Sequence, residues 1–414
     1  MTVRRVTYET LLSIIEGGAY ANLALKEAAG KVPEAGVGTL YAWVYTALEH
    51  RSYVEYILSH FCKRQKKAVR ILLLLGTTEL LYLNTPAHAA IFETVSLCKS
   101  IGKADSAALV NAVLRRVDRE RDSLPPLPSD PIEQLSIRYG YPKWIAEEWI
   151  ASHGIGFAER MMQSRPTRMQ VRAQFPTSKE ELLRAFPGSV SGKLDPNCLY
   201  LPSGIDLEQN PLWCNGKMTA QNEGAMLICR SLGDVRKKRV LDVCAAPGGK
   251  TAYLASLFEN DISLTAWELH PHRKELMDAT FLRLHVDAVT ECRDGTVLYE
   301  DAEESFDAVL LDVPCTGLGL LSDKPDVRYR KTEADRDAIV SVQSKLLSVC
   351  SRYVKPGGTL VYATCTISRK ENELQVAGFL KQHPDYSLVS ERQYLPETDG
   401  IDGFYHATMR RETV

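Results

Sequence analysis

From about Met218 to the C-terminus, short apolar runs alternate with stretches of helical periodicity. The runs are RVLDVC, ISLTAWELH, AVTECRDG, DAVLLDVPC and TLVYATC. Between them lie TAYLASLF, HRKELMDATFLRL and DRDAIVSVQSKLLSVC, each with apolar residues three and four apart. Consecutive parallel strands need a long crossover, and a helix is the usual one. The pattern therefore predicts a doubly wound, mainly parallel sheet, with SRKENELQVAGFLKQ as a late helix opened by a Ser368–Glu371 capping box. Ligands of such sheets bind beyond the carboxyl ends of the strands. Asp242, Glu268, Asp294, Asp312 and Cys365 all fall on that edge.

The remainder of the 414 residues has room for one or two further domains. Residues 1–124 read as a helical bundle, built from segments such as LYAWVYTALEHRSYVEYILSHF. AVRILLLLGTTELLYL is the most apolar of these, but basic residues precede it and Glu79 interrupts it, so it reads as a core helix and not a membrane span. A basic cluster, Lys63, Arg64, Lys66, Lys67 and Arg70, opens that helix; it is either a solvated face or a phosphate contact. SLPPLPSDPIE, with four prolines, marks a stiff linker, and 125–140 is taken as linker and start of the next domain. Residues 141–216 read as a small α/β module, in which TRMQVRAQ and CLYLP are strands and TSKEELLRAF a helix capped near Ser178. Residues 217–414 form the doubly wound domain. Net charge is −2, so a nucleic-acid partner needs a local basic patch and not a globally basic surface. The N-terminus, MTVRRVTYETLL, lacks a secretory apolar core, and a cytoplasmic protein is expected.

Two features of the strand edge carry chemistry. Gly248 and Gly249 sit between a strand and a helix, where small residues let backbone approach a ligand. Glu268 ends the next strand, twenty residues after Gly248, where a carboxylate can bind both hydroxyls of a ribose; Asp294, after the third strand, can accept from an adenine amino group. The turn matches neither a dinucleotide fingerprint nor a P-loop, so a ribose–adenine cofactor without that pyrophosphate signature, S-adenosylmethionine, fits better than NAD. The second feature is a pair of cysteines, Cys315 in DVPCTG and Cys365 in YATCTIS. The ten cysteines include no CxxC pair, which argues against a zinc ribbon, and Leu318 stands where a deaminase would need its second zinc cysteine. No metal is expected. Which of the two thiols is a nucleophile is not decided by these residues alone.

DVCAAPGGKT, LLDVPCTGLG, PDVRYRK and YATCTIS together resemble the signature segments of RNA cytosine-5 methyltransferases of the NOL1/NOP2/Sun family, in its bacterial branch acting on 16S ribosomal RNA. The resemblance covers nearly the whole chain. It implies an N-terminal NusB-like RNA-binding bundle, an RRM-like middle module and a class I S-adenosylmethionine-dependent catalytic domain. It implies that Cys244, Ala245, Ala246, Pro247, Gly248, Gly249, Lys250, Glu268, Arg273, Asp294 and Asp312 hold the cofactor. Cys365 would be the nucleophile that adds to C6 of cytosine, and Cys315 would assist product release. Lys250 and Asp312 would lie where cofactor and target base meet, with Asp312 as the general acid or electrostatic partner that protonates or hydrogen-bonds the ring as C6 is attacked. Asp326, Arg328 and Arg330, in a loop where Tyr329 replaces the family's usual Trp, would contact RNA. The chain departs from the family at Gln170–Arg172 and at Gln221–Asn222.

The activity implied is formation of 5-methylcytosine. Thiolate addition makes C5 nucleophilic, methyl transfer follows, and loss of the C5 proton lets the thiol leave. The expected partner is structured RNA, 16S rRNA before or during small-subunit assembly, bound by a monomer with no membrane contact. A tRNA cytosine-5 methyltransferase and a non-catalytic assembly factor on the same scaffold are the alternatives.

Overall fold

The computed structural model describes residues 2–164, 168–321 and 325–413. They divide into two compact units, Met1–Gln163 with Lys324–Lys331, and Ser164–Asp323 with Thr332–Val414.

The first unit is helical: α1 (Val3–Ile15), α2 (Ala21–Ala29), α3 (Glu34–Glu49), α4 (Arg51–Phe61), α5 (Lys67–Tyr82), α6 (Ala87–Ser100), α7 (Ala107–Arg119), α8 (Pro131–Tyr139), α9 (Lys143–His153) and α10 (Ile155–Gln163). Helix α5 is buried continuously from Ile71 to Leu80, which accounts for its unbroken apolar run Ile71–Leu75. Its one acid, Glu79, is fully buried and paired with Arg4. The last proline of the expected linker starts α8: Asp130 accepts from Glu133 N at 2.7 Å, and Pro131 takes the first helical position, where no N–H is needed. No described helix is long and apolar enough to cross a membrane.

The second unit begins with a four-stranded antiparallel sheet in the order β2-β3-β1-β4, built from β1 (Gln170–Ala173), β2 (Val190–Ser191), β3 (Cys198–Tyr200) and β4 (Met218–Ala220). Thr167, which opens the expected TRMQVRAQ strand, lies outside the described residues. Helix α11 (Lys179–Ala185) starts in a complete Ser178–Glu181 capping box, and α12 (Pro211–Cys214) precedes β4. Because β4 pairs with β1, the small sheet runs past the boundary drawn at 216. Arg172 and Gln221, two of the positions that depart from the family pattern, tie this sheet to the remainder of the unit. Arg172 is fully buried, donates to Gln221 Oε1 (2.5 Å) and Gln174 Oε1 (2.6 Å), and lies 4.9 Å above the Tyr253 ring.

Next come α13 (Glu223–Arg230), β5 (Arg239–Val243), α14 (Gly249–Leu257), β6 (Ser263–Glu268), α15 (Pro271–Leu284), β7 (Val289–Cys292) and β8 (Phe306–Asp312). After α16 (Pro325–Arg328), which belongs to the first unit, follow α17 (Glu333–Cys350), β9 (Val354–Thr364), α18 (Glu373–Gln382), β10 (Tyr386–Tyr394) and β11 (Phe404–Arg411). The seven strands order as β10-β11-β9-β8-β5-β6-β7, with only the β11 pairings antiparallel. This is the class I methyltransferase topology. Strand β8 shows why its sequence is almost uninterruptedly apolar: Val309 and Leu311 pack on one face with Leu346, Leu347 and Phe379, while Ala308 and Leu310 pack on the other with Ile228 and Leu254. The chain leaves β5 toward β6 and β7, then returns to its other side with β8 and β9. The reversal opens a crevice at the carboxyl ends of β5 and β8.

Candidate active site

A cavity of about 430 Å³ occupies that crevice. Its lining includes Cys244, Ala246, Lys250, Glu268, Arg273, Asp294, Asp312, Cys315 and Cys365 from the sequence-derived set. Ala245, Pro247, Gly248 and Gly249 shape the turn without lining the cavity. Asp242 does not line it either. Burial raises its carboxyl to about 7, and it accepts from the Thr251 hydroxyl at 2.6 Å, anchoring the first turn of α14.

On one side the elements fit a nucleoside. Cys244 and Gly248 both have positive φ (63° and 94°), which turns the chain sharply out of β5 and into α14. Gly248 N donates to Ala245 O, and Arg273 braces the turn by donating to Ala246 O at 3.0 Å. Glu268 is 2 % exposed; its Oε1 accepts from His270 N at 3.0 Å, while its Oε2 makes no hydrogen bond although Arg273 lies 3.4 Å away. A buried carboxylate oxygen without a donor is costly, and ribose hydroxyls would satisfy it. Asp294 Oδ1 accepts from Thr296 N (2.9 Å) and Thr296 Oγ1 (2.7 Å), an Asx turn that fixes the side chain at the cavity wall. The residues present therefore fit S-adenosylmethionine. His270, Arg293 and Thr296 also line this side and were missed; the DGT of the turn was the available signal for Thr296.

On the other side are the thiols. Strands β8 and β9 are parallel neighbours with Asp312 opposite Ala363, so both cysteine-bearing loops leave the sheet at one level. Cys315 Sγ and Cys365 Sγ stand 3.3 Å apart. The hydrogen bond to Cys365, burial, and the charges of Cys365 and Glu371 push the Cys315 thiol well up. Lys250 Nζ donates to Asp312 Oδ2 at 2.5 Å. Burial works to lower the Lys250 ammonium, but the charge and hydrogen bond of Asp312 outweigh it, and the group is held above its ordinary value. Asp312 thus takes part as an acceptor, and Lys250 carries the proton of the pair. The Lys250 charge also interacts with Cys365.

The loop expected to contact RNA is occupied otherwise. Asp326 is buried and accepts from Ala21 N at 3.2 Å, at the start of α2. Arg328 is buried, lies 4.1 Å from the Tyr141 ring centroid and donates to Tyr139 O. Arg330 donates to Gly18 O and Ala19 O and sits over the Tyr20 ring. All these partners belong to the helical unit. Of the basic cluster, Arg70 and Lys67 pair with Glu16 at 2.9 and 3.1 Å, whereas Lys63, Arg64 and Lys66 are exposed.

Two family models match the chain: the NusB family over residues 1–119 and "16S rRNA methyltransferase RsmB/F" over residues 230–410. A protein of Bacillus subtilis described as probable ribosomal RNA small subunit methyltransferase B is 32% identical over 443 residues, covering 99% of each chain. The chain belongs to the RsmB/F family. The ribosomal RNA small subunit methyltransferase B of Xylella fastidiosa is 34% identical over 364 residues, 83% of each chain. Among solved structures, PH0851 superposes with a TM-score of 0.85 at 21% identity over 99% of both chains, and NSun6 from Pyrococcus horikoshii with 0.60 at 19% identity, over 66% of this chain and 99% of that one. These two likenesses concern the fold. As an RsmB/F member the chain is an S-adenosylmethionine-dependent RNA (cytosine-5-)-methyltransferase acting on ribosomal RNA.

Proposed function

We propose that this enzyme forms 5-methylcytosine in 16S rRNA with Cys365 as nucleophile and Cys315 as the thiol that assists release. The observation that carries the reading is the Cys315–Cys365 pair, 3.3 Å apart at the wall of a cavity shared with the Lys250–Asp312 ion pair. Lys250 favours negative charge at Cys365, since a cation beside a thiol favours its thiolate. Cys315, as a thiol, would support that charge by donating across the 3.3 Å separation. When bound, S-adenosylmethionine supplies an electrophilic methyl group. Glu268 would hold its ribose, Asp294 its adenine, and the Cys244–Gly249 turn with Arg273 would shape the rest of its seat. Lys250 is the proton-bearing group placed to hydrogen-bond the pyrimidine ring as Cys365 adds to C6. A base then takes the C5 proton, the C5–C6 double bond re-forms, and Cys365 leaves C6 as its thiolate.

Exposed Lys63, Arg64 and Lys66 supply phosphate contacts on the helical unit, positioning RNA while the cavity selects the base. The substrate is single-stranded or loop RNA, whose bases can be splayed into a pocket, bound by a monomer in the cytoplasm. Tritiated methyl transfer to deproteinised 16S rRNA, assembled small subunits and tRNA, followed by mapping of the product, tests the reading. Label at a cytosine C5 of 16S rRNA supports it, and label confined to tRNA overturns the target. Binding should weaken steeply with added salt.

A further inference from the structure

Glu371 has the spacing of a cap for the last long helix, and it does something else. Helix α18 starts at Glu373, its N-cap Asn372 makes no side-chain capping bond, and Glu371 lies in the turn before it, fully buried. Its carboxylate crosses to the loop of Cys315. Oε2 accepts from Thr316 N (2.9 Å) and from Gln343 Nε2 (3.0 Å), and Oε1 accepts from Thr316 Oγ1 at 2.5 Å. Gln343 Nε2 also donates to Pro314 O at 2.9 Å. The residue before Cys315 and the residue after it are therefore tied to one carboxylate, directly or through Gln343.

The same cluster grips the loop of Cys365. The hydroxyls of Thr316 and Thr366 are 2.9 Å apart, and Thr366 Oγ1 is 3.4 Å from Glu371 Oε1. Each hydroxyl has one proton. Thr316 spends its own on Glu371, so the proton of Thr366 goes to Thr316 or to Glu371, and either choice draws the two loops together. Asn372, also fully buried, accepts from Thr364 Oγ1 (2.7 Å) and donates to Thr366 O (3.0 Å), fixing the residues on both sides of Cys365.

We propose that Glu371 is a positioning residue for the methyltransferase reaction, clamping the two cysteine loops into register and, through its charge, leaving the shared proton on Cys315 and the thiolate on Cys365. A buried negative charge disfavours a second negative charge beside it. Glu371 bonds Thr316, beside Cys315, at 2.5 and 2.9 Å and lies 3.4 Å from Thr366, beside Cys365; the Cys315 thiol is raised by its hydrogen bond to Cys365, by burial and by the charges of Cys365 and Glu371. Ionisable groups near the pair include Lys250 and Asp312, which line the same cavity, and Tyr362, whose hydroxyl donates to Glu371 O at 2.6 Å and whose ionisation Cys315 disfavours. Lys250 is the one cation of this set, and its charge couples to Cys365. An anion bonded most closely to the Cys315 loop and a cation coupled to Cys365 thus bias the pair in the same sense. This rests on the proposed roles of the two thiols.

The test is pH-dependent alkylation of the full-length protein with iodoacetamide, with each cysteine followed by peptide mass spectrometry. Wild type should alkylate Cys365 first. Glu371→Gln keeps the size of the side chain and removes its charge. It should lower the Cys365:Cys315 labelling ratio about tenfold and move the Cys315 midpoint down by about one pH unit, the tenfold equivalent. It should also lower kcat while leaving KM for S-adenosylmethionine within about threefold, since the cofactor side of the cavity is untouched. A folded Glu371→Gln protein with an unchanged ratio and midpoint would overturn the proposal. Thr316→Val removes one donor and keeps the charge; it should reduce turnover while Cys365 remains the preferred target, and equal labelling of both thiols there would also overturn it. The alkylation needs no RNA, so it stands apart from the identity of the nucleophile, which the covalent adduct decides.

Discussion

Replacing Gly248 and Gly249 one at a time by alanine separates two adjacent glycines with opposite demands. Gly248 has φ +94°, a region L-residues enter at a cost of about 1–2 kcal/mol. Its added Cβ would stand 2.6 Å from Phe281 Cε1 and 3.2 Å from Met277 Cγ, both buried beneath the turn. Making room by shifting core side chains costs about 1–3 kcal/mol. Gly248→Ala should therefore destabilise the catalytic unit by roughly 2–5 kcal/mol, the sum of these two costs. At Gly249, the first residue of α14, an added Cβ meets no heavy atom within 4 Å, and φ is not positive. Gly249→Ala should stay within about 1 kcal/mol of wild type, because alanine is the better helix former. Urea denaturation by circular dichroism measures the stabilities. Calorimetric titration with S-adenosylmethionine measures the functional consequence, since the turn that moves carries Lys250 two residues on. If the two variants unfold together and bind the cofactor equally, the close-packed left-handed turn is not what the site requires.

Other consequences arise from single contacts. Asp326→Ala should lower the melting temperature, because it leaves the buried Ala21 N–H without its acceptor at a cost of about 1–3 kcal/mol, and it should not change S-adenosylmethionine affinity; a loss of RNA affinity with unaltered stability would instead restore Asp326 as an RNA contact. His406 is buried in β11, and burial with the nearby Arg392 pushes its imidazole down from 6.5 to about 4. Between those values the unfolded chain binds the extra proton, so stability is full above about pH 6.5 and falls by up to about 3 kcal/mol as pH drops to 4. His406→Gln should flatten that part of the stability–pH curve, and an unchanged curve would refute the assignment.

The catalytic sheet was legible because its central strands are buried on both faces and end in polar residues, so Val309, Leu310 and Leu311 announce a central strand by composition alone. The cofactor acids were legible by position, since the carboxyl edge collects whatever ends each strand. Partners distant in sequence were not legible. Ser368 and Glu371 have the spacing of a capping box, a local rule, whereas the partner that takes the carboxylate, Thr316, is 55 residues away. The burial of Arg328 and the contacts of Arg330 were not legible, because their acceptors Tyr139 and Gly18 lie 189 and 312 residues away. Arg172 and Gln221 looked like departures from a pattern, and only the fold shows that they bond to each other.

The division of labour between the thiols is best tested by trapping. Wild type, Cys365→Ala, Cys315→Ala and the double variant are incubated with S-adenosylmethionine and 16S rRNA, denatured, and resolved for covalent protein–RNA complexes. The 3.3 Å pair, with the Lys250 charge coupled to Cys365 and Glu371 bonded to the Cys315 loop, predicts that Cys315→Ala accumulates a denaturant-resistant adduct and that Cys365→Ala and the double variant form none. An adduct that persists without Cys365 and vanishes without Cys315 would contradict the account.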